Sequence, residues 1–124
     1  MDERDPLTQA VIGAAIEVHR EMGPGLLESV YQACMEYELG LHGIDFERLV
    51  PLPIVYKGVV VGNPLMMDLY FPGRLVVELK TVEEIAPIHE AQLLTYLRLT
   101  HTHVGLLINF NVRFLRDGLK RMVL

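Results

Sequence analysis

The sequence predicts an α/β protein built in α+β layers: a central mixed β-sheet flanked by helices, in the element order ααβββ(β)αβ(β). Three observations predict it. Apolar residues recur at helical spacing through the first third of the chain, and short β-branched runs broken by Pro and Gly fill the middle. A further helical stretch then precedes the apolar run His103 to Phe110. The chain has 124 residues, 51% of them hydrophobic and 22% charged, which excludes a disordered polyelectrolyte and fits one domain over residues 1–124.

Asp5-Pro6 opens the first helix, with Asp as N-cap and Pro at the first helical position. Leu7, Val11, Ala14, Val18 and Met22 recur at helical spacing until Gly23-Pro24-Gly25 stops the run. A second helix is expected from about Leu26, with Leu27, Val30, Cys34, Tyr37 and Leu41 on its inward face and Gly43 as its stop. No seven-residue repeat persists, so the pair reads as a helical hairpin and not a coiled coil. Strands are expected at Phe46 to Val50 and Ile54 to Tyr56, where prolines suit a sheet edge, and at Val59 to Val61 after a Lys57-Gly58 turn. Leu65 to Phe71 and Leu75 to Lys80 follow, joined by the tight-turn dipeptide Pro72-Gly73. Pro87 starts a third helix running to about Thr100, with Ile88, Ala91, Leu94 and Leu97 inward. His103 to Phe110 reads as a buried strand, and the tail as a hairpin around Asp117-Gly118.

Charge is unevenly placed. Residues 1–47 hold ten acids and two bases, whereas residues 48–124 hold six acids and nine bases, for a formal net charge of −5. An acidic total argues against gripping nucleic acid by overall charge, but Arg113, Arg116, Lys120 and Arg121 form a local basic stretch. The plainer reading of that stretch is a solvated strand pair. No apolar run is long enough for a membrane span, and Met1-Asp2-Glu3-Arg4-Asp5 is charged where a signal peptide would be basic and then apolar. The one cysteine, Cys34, can form no internal disulfide and reads as core, which fits a cytoplasmic protein.

Charges inside the apolar strands carry the chemistry. Strand alternation puts Val76, Glu78 and Lys80 on one face of Leu75 to Lys80, and Val77 and Leu79 on the other. Asp68 is a lone charge in Leu65 to Phe71, and pairing through Pro72-Gly73 would lay it near Glu78. Two clustered carboxylates repel, and a divalent cation is the usual way to keep both ionised; oxygen ligands favour Mg2+ or Mn2+. Lys80 beside such a cation could orient or deprotonate an attacking water and stabilise charge developing on a phosphate. The competing reading is an edge salt bridge between Glu78 and Lys80. On the helices, Glu28 and Tyr31 lie one turn apart, and Gln92 and Tyr96 lie at i and i+4 with His89 on the same stripe. Both tyrosines also suit an amphipathic core, and Gln92 a buried hydrogen-bonding position.

Gly25-x-x-Glu28-x-x-Tyr31 resembles the signature of the GxxExxY protein family. The resemblance continues through Ile12 to His19, Met22 to Gly25, Val77 to Lys80, Ile88 to Leu94 and Val104 to Phe110, so it spans about Leu7 to Phe110. That family is placed in the PD-(D/E)xK nuclease superfamily, which implies a restriction-endonuclease-like fold. Asp68 and Glu78-x-Lys80 are similar to the superfamily's core motif, with Met67 where the motif's name puts Pro. Gln92-x-x-x-Tyr96 resembles the added motif of the RecB-type exonuclease branch, whose Gln and Tyr support the site and contact DNA. By this resemblance Asp68 and Glu78 bind Mg2+ (or Mn2+), the Leu79 carbonyl is a further ligand, and Lys80 handles the water. Glu28 completes the metal site, with His19 the lesser candidate or a core residue.

The implied activity is metal-dependent hydrolysis of phosphodiesters in DNA, or in RNA. Arg113, Arg116, Lys120 and Arg121 would clamp the nucleic-acid backbone, and symmetric pairing into a homodimer would double the contact surface. The rival readings are a nucleic-acid-binding protein whose catalysis has lapsed and a protein-interaction subunit docking through its acidic first third. A small-molecule hydrolase has no support, because no nucleophile elbow, phosphate-cradling Gly-rich loop or Cys/His cluster is present.

Overall fold

The computed structural model describes residues 5–124, so the charged segment Met1 to Arg4 lies outside it. Helix α1 (Pro6–Met22) begins where the sequence predicts: the Asp5 carboxylate accepts hydrogen bonds from the Thr8 amide and hydroxyl, and Pro6 takes the first helical position. Helix α2 (Glu28–Leu41) antiparallels it across the 23–27 turn. Strands β1 (Glu47–Leu52), β2 (Val55–Tyr56), β3 (Val59–Val60), β4 (Leu65–Phe71) and β5 (Leu75–Lys80) follow. Helix α3 (Pro87–Thr100) crosses over to β6 (Val104–Asn109), and a short 3-10 turn (Leu115–Gly118) leads into β7 (Leu119–Val123).

The main sheet has the order β1-β4-β5-β6-β7, with β5 and β6 parallel and the other neighbours antiparallel. It is a five-stranded mixed sheet flanked by three helices, the architecture of a restriction-endonuclease-like fold. The β5-α3-β6 crossover is what makes the central pair parallel. Helices α1 and α2 cover one face through Val11, Ala15, Tyr31, Met35 and Leu39, packed on Leu69, Val77, Leu79 and Ile108. Helix α3 covers the other through Leu93, Tyr96 and Leu97, packed on Met67, Val76 and Leu107. Gly105 permits this close approach, since a Cβ there would lie 2.8 Å from the Leu93 side chain. Among the described residues no helix is long and apolar enough to cross a membrane.

Several expected features are corrected. Strands β2 and β3 form their own two-stranded sheet and do not join the central one. Helix α2 buries Tyr31, Gln32, Met35 and Leu39, leaving the expected inward residues Leu27, Tyr37 and Leu41 exposed. Two apolar stripes run along this helix. The stripe containing the large Tyr31 wins because its ring stacks on Phe110 at 4.4 Å between centroids. Helix α3 likewise turns Leu93 and Tyr96 inward, and Ile88 and Ala91 face out. Met22 is exposed at the end of α1. The hairpin joining β6 to β7 turns over the longer segment 110–118, with Asp117-Gly118 closing its 3-10 turn.

Gly118 has no positive φ, yet it is fixed by proximity: a Cβ there would meet the Asn109 carbonyl at 2.1 Å. Gly118→Ala is therefore expected to destabilise by on the order of 2–3 kcal/mol, because backbone cannot yield as a side chain does. Gly13→Ala, in α1 with nothing within 4 Å of the added methyl, should stabilise by up to about 1 kcal/mol. Thermal melts of the two variants check this contrast.

Candidate active site

The hairpin turn at Pro72-Gly73, closed by Arg74 N–H to Phe71 O at 2.8 Å, pairs β4 with β5 in the register Phe71–Leu75, Tyr70–Val76 and Leu69–Val77. One residue further on, the ladder is replaced by side chains. The Asp68 amide donates to Glu78 Oε2 at 2.8 Å, and the Leu79 amide donates to Asp68 Oδ2 at 2.7 Å. Each carboxylate thus satisfies a backbone donor of the opposite strand. Side-chain alternation slips at the same place. Leu69 and Phe71 pack under α1 and α2, whereas Met67 packs on the α3 side. Across from Asp68, Leu49 of β1 takes a left-handed conformation (φ 47) between the ladder pairs Arg48–Leu69 and Val50–Met67.

Helix α2 holds this break from the other side. Gln32 Nε2 donates to the Asp68 carbonyl at 2.9 Å and to Glu36 Oε2 at 2.8 Å, and Glu36 Oε1 pairs with Arg48 Nε at 2.7 Å. Glu28, the first residue of α2, is exposed and lines a groove shared with Gln32, Glu36, Arg48 and Asp68. Its charge raises the pKa of both Asp68 and Glu78, but it is hydrogen-bonded to neither. Tyr31 does not join it. The Tyr31 hydroxyl donates to Gly23 O at 2.5 Å and accepts from the Leu26 amide at 3.3 Å, stapling the turn in which Gly25 sits at φ +100. The Gly-x-x-Glu-x-x-Tyr spacing therefore combines two residues that build a turn with one that faces the carboxylates.

Glu78 is only 3% exposed, and its carboxyl is pushed up to about 9, first by burial and then by the Asp68 charge. Asp68 rises to about 6, again chiefly through burial, with the Leu79 amide and Lys80 pulling the other way. Lys80 ends β5, half-buried, and its carbonyl accepts the Phe110 amide at 3.0 Å. From α3, Tyr96 is buried, and desolvation together with the two carboxylates drives its phenol well above the ordinary tyrosine value. Gln92 lies one turn before it, half-buried on the same helix. The other histidines of interest have local partners. His19 Nε2 meets Val112 O at 2.8 Å, and His89 Nδ1 accepts the Ala86 amide at 2.9 Å as a cap of α3.

A family model described as the PD-(D/E)XK nuclease superfamily matches residues 5–122. The chain belongs to that superfamily. No curated protein and no solved structure matches it.

Superfamily members generally use divalent metals, and the donor set at Asp68 and Glu78 fits one. Each carboxylate engages one oxygen with an amide, and among the described residues none donates to Asp68 Oδ1 or Glu78 Oε1. Two hard oxygen donors, Glu78 buried and Asp68 half-buried, both held above the ordinary carboxylate range chiefly by desolvation, are what Mg2+ or Mn2+ would stabilise in the ionised form. Among the described residues no three His, Cys, Asp or Glu side chains converge on one cation position. The four basic residues of this superfamily member's tail divide. Arg113 and Arg116 are exposed on the 110–118 segment beyond β6, Lys120 pairs with Glu90 at 3.8 Å, and Arg121 is half-buried on β7.

Sequence reasoning missed two residues that hold the candidate site in place. Gln32 anchors Asp68, as described. Asn109, 1% exposed, sits beside Lys80 in the β5–β6 register, and its side chain clasps the following loop. Its Oδ1 accepts the Val82 and Asn111 amides at 3.1 and 3.2 Å, and its Nδ2 donates to Val82 O at 2.8 Å. A lone amide ending the apolar run Val104 to Ile108 was the available signal.

Proposed function

We propose that the chain is a metal-dependent nuclease that hydrolyses phosphodiester bonds in DNA or RNA, with Asp68 and Glu78 as its cation ligands. The observation that carries this reading is the interlocked carboxylate pair, Glu78 buried and Asp68 half-buried, with one free oxygen on each member, beside Lys80. The Leu79 carbonyl is the further ligand of this reading, with water and substrate phosphate completing the shell, while Glu28 bears on the pair through its charge across the groove. When bound, the cation supplies positive charge against the scissile phosphate and acidity to an adjacent water.

The chain's own groups do the rest. Lys80 Nζ orients the attacking water and offsets negative charge on the phosphate in the transition state. Tyr96 keeps its proton at neutral pH, so its hydroxyl can only act there as a neutral hydrogen-bonding group toward the site. Gln92, one turn away, offers an amide to the same strand of substrate. Gln32 and Asn109 act as positioning residues: the first fixes the Asp68 backbone, and the second fixes the end of β5 that presents Lys80.

Calorimetric titration with Mn2+ tests the reading without a guess at substrate. Wild-type protein should bind, and Asp68→Asn should lose binding by at least about tenfold. The asparagine oxygen still accepts the Leu79 amide, so the fold is kept and a melt within a few degrees of wild type confirms it. Binding that is unchanged in Asp68→Asn would overturn the assignment.

A further inference from the structure

Two exposed aromatic rings with cations against them stand on either side of Lys80, and the nuclease reading does not use them. Strand β4 runs antiparallel to β5, so the Leu65 end of β4 and the Lys80 end of β5 share one end of the sheet. The β2–β3 hairpin projects from this end, between Leu52 of β1 and Leu65 of β4, which face each other in the register. Strand β6 runs parallel to β5 and ends at Asn109, beside Lys80, so segment 110–118 leaves from the same end on the opposite flank. In the strand order β1-β4-β5-β6-β7, the carboxylates on β4 and β5 lie between the two projections.

Each projection carries the same kind of group. On the hairpin, Tyr56 is 61% exposed with Lys57 Nζ 5.4 Å from its ring centroid. On the other flank, Phe114 is 48% exposed, with the guanidiniums of Arg113 and Arg116 at 5.1 and 5.3 Å. None of these three cations is ion-paired to a carboxylate among the described residues. Exposed rings beside unpaired cations suit a ligand with flat π-faces and a phosphate chain. A chain with a net charge of −5 holds a duplex poorly by charge alone, and duplex bases are already stacked on one another. An unpaired strand offers both bases to stack and phosphates to neutralise.

We propose that Tyr56 with Lys57, and Phe114 with Arg113 and Arg116, are two stacking arms that carry a single strand of nucleic acid across the carboxylate pair. This rests on the nuclease reading for the chemistry between the arms, but the arms themselves are tested by binding alone. The substrate class is unpaired nucleic acid: a single strand, a flap or a frayed end.

The probe is a fluorescent oligothymidylate of about 16 nucleotides, compared by anisotropy with a duplex of the same length, in EDTA so that nothing is cut. The strand should bind at least roughly tenfold more tightly than the duplex, and Tyr56→Ala and Phe114→Ala should each weaken strand binding roughly tenfold. Tyr56→Phe and Phe114→Tyr should keep it. Both rings are on the surface, so unchanged melts are expected for all four variants. Equal binding of strand and duplex, no binding of either, or alanine variants that bind like wild type would overturn the proposal. So would Tyr56→Ala turning a dimer into a monomer with anisotropy unmoved, which would make the hairpin a self-association surface. Mn2+ titration on the same preparations separates the two readings. Strand preference absent with metal bound removes the arms and leaves the nuclease, whereas metal binding absent with strand preference intact does the reverse.

Discussion

Lys80→Ala is expected to lower phosphodiester cleavage by roughly 10²–10³-fold while Mn2+ binding stays within about fivefold of wild type. The separation follows from geometry. The carboxylates are held by amides of Asp68 and Leu79, and neither bond involves the Lys80 side chain. On the proposed mechanism, removing the ammonium takes away the group that would face the developing phosphate charge and leaves both carboxylates in place. It has one side effect. Lys80 lowers the pKa of both Asp68 and Glu78, so its loss should move the onset of metal binding to higher pH. Rates and calorimetry at two pH values check both points, and a parallel loss of metal binding and cleavage at every pH would remove Lys80 from the catalytic role.

In the absence of divalent metal, wild-type stability should fall as pH rises from about 4 to about 9, by several kcal/mol in total. Burial raises Asp68 from 3.8 to about 6 and Glu78 from 4.5 to about 9. Between those limits the folded chain keeps protons that the unfolded chain has released. Stability is therefore fully present below the unfolded pKa values and is lost as pH climbs through the folded ones. Glu78→Gln, whose amide oxygen can still accept the Asp68 N–H, should flatten most of this slope and melt higher than wild type near pH 8. Added Mg2+ or Mn2+ should raise the wild-type melt at pH 8 and leave Glu78→Gln almost unmoved. Melts across pH, with and without metal, test all three arms. A wild-type stability that rises with pH would mean that the two carboxylates do not share a buried site.

The elements that the sequence announced most clearly were those with local punctuation. Asp5-Pro6 and Pro87 mark helix starts by fixing φ and satisfying free amides, and both helices begin there. Pro72-Gly73 sets the register that lays Asp68 against Glu78, so the central pair could be placed from a turn and an alternation pattern. Helix faces were less legible. In α2 the stripes Leu27–Tyr37–Leu41 and Tyr31–Met35–Leu39 are both apolar, and only the tertiary partner Phe110 decides between them. The slip at Asp68 could not be read at all, because it depends on Gln32 reaching across 36 positions to a backbone carbonyl. Asn109 was legible in principle by the same reasoning that found Asp68, a polar group alone in an apolar strand.

The exchange of ladder bonds for carboxylate bonds gives this site built-in reporters. The amide protons of Asp68 and Leu79 rest on the two titrating carboxylates, so their nuclear magnetic resonance shifts should track the ionisation of Glu78 and Asp68 respectively. Their hydrogen-exchange rates should in turn reveal whether the two strands open locally when both carboxylates are charged. Two backbone signals, observed without substrate, would follow the state of the candidate centre from apo to loaded.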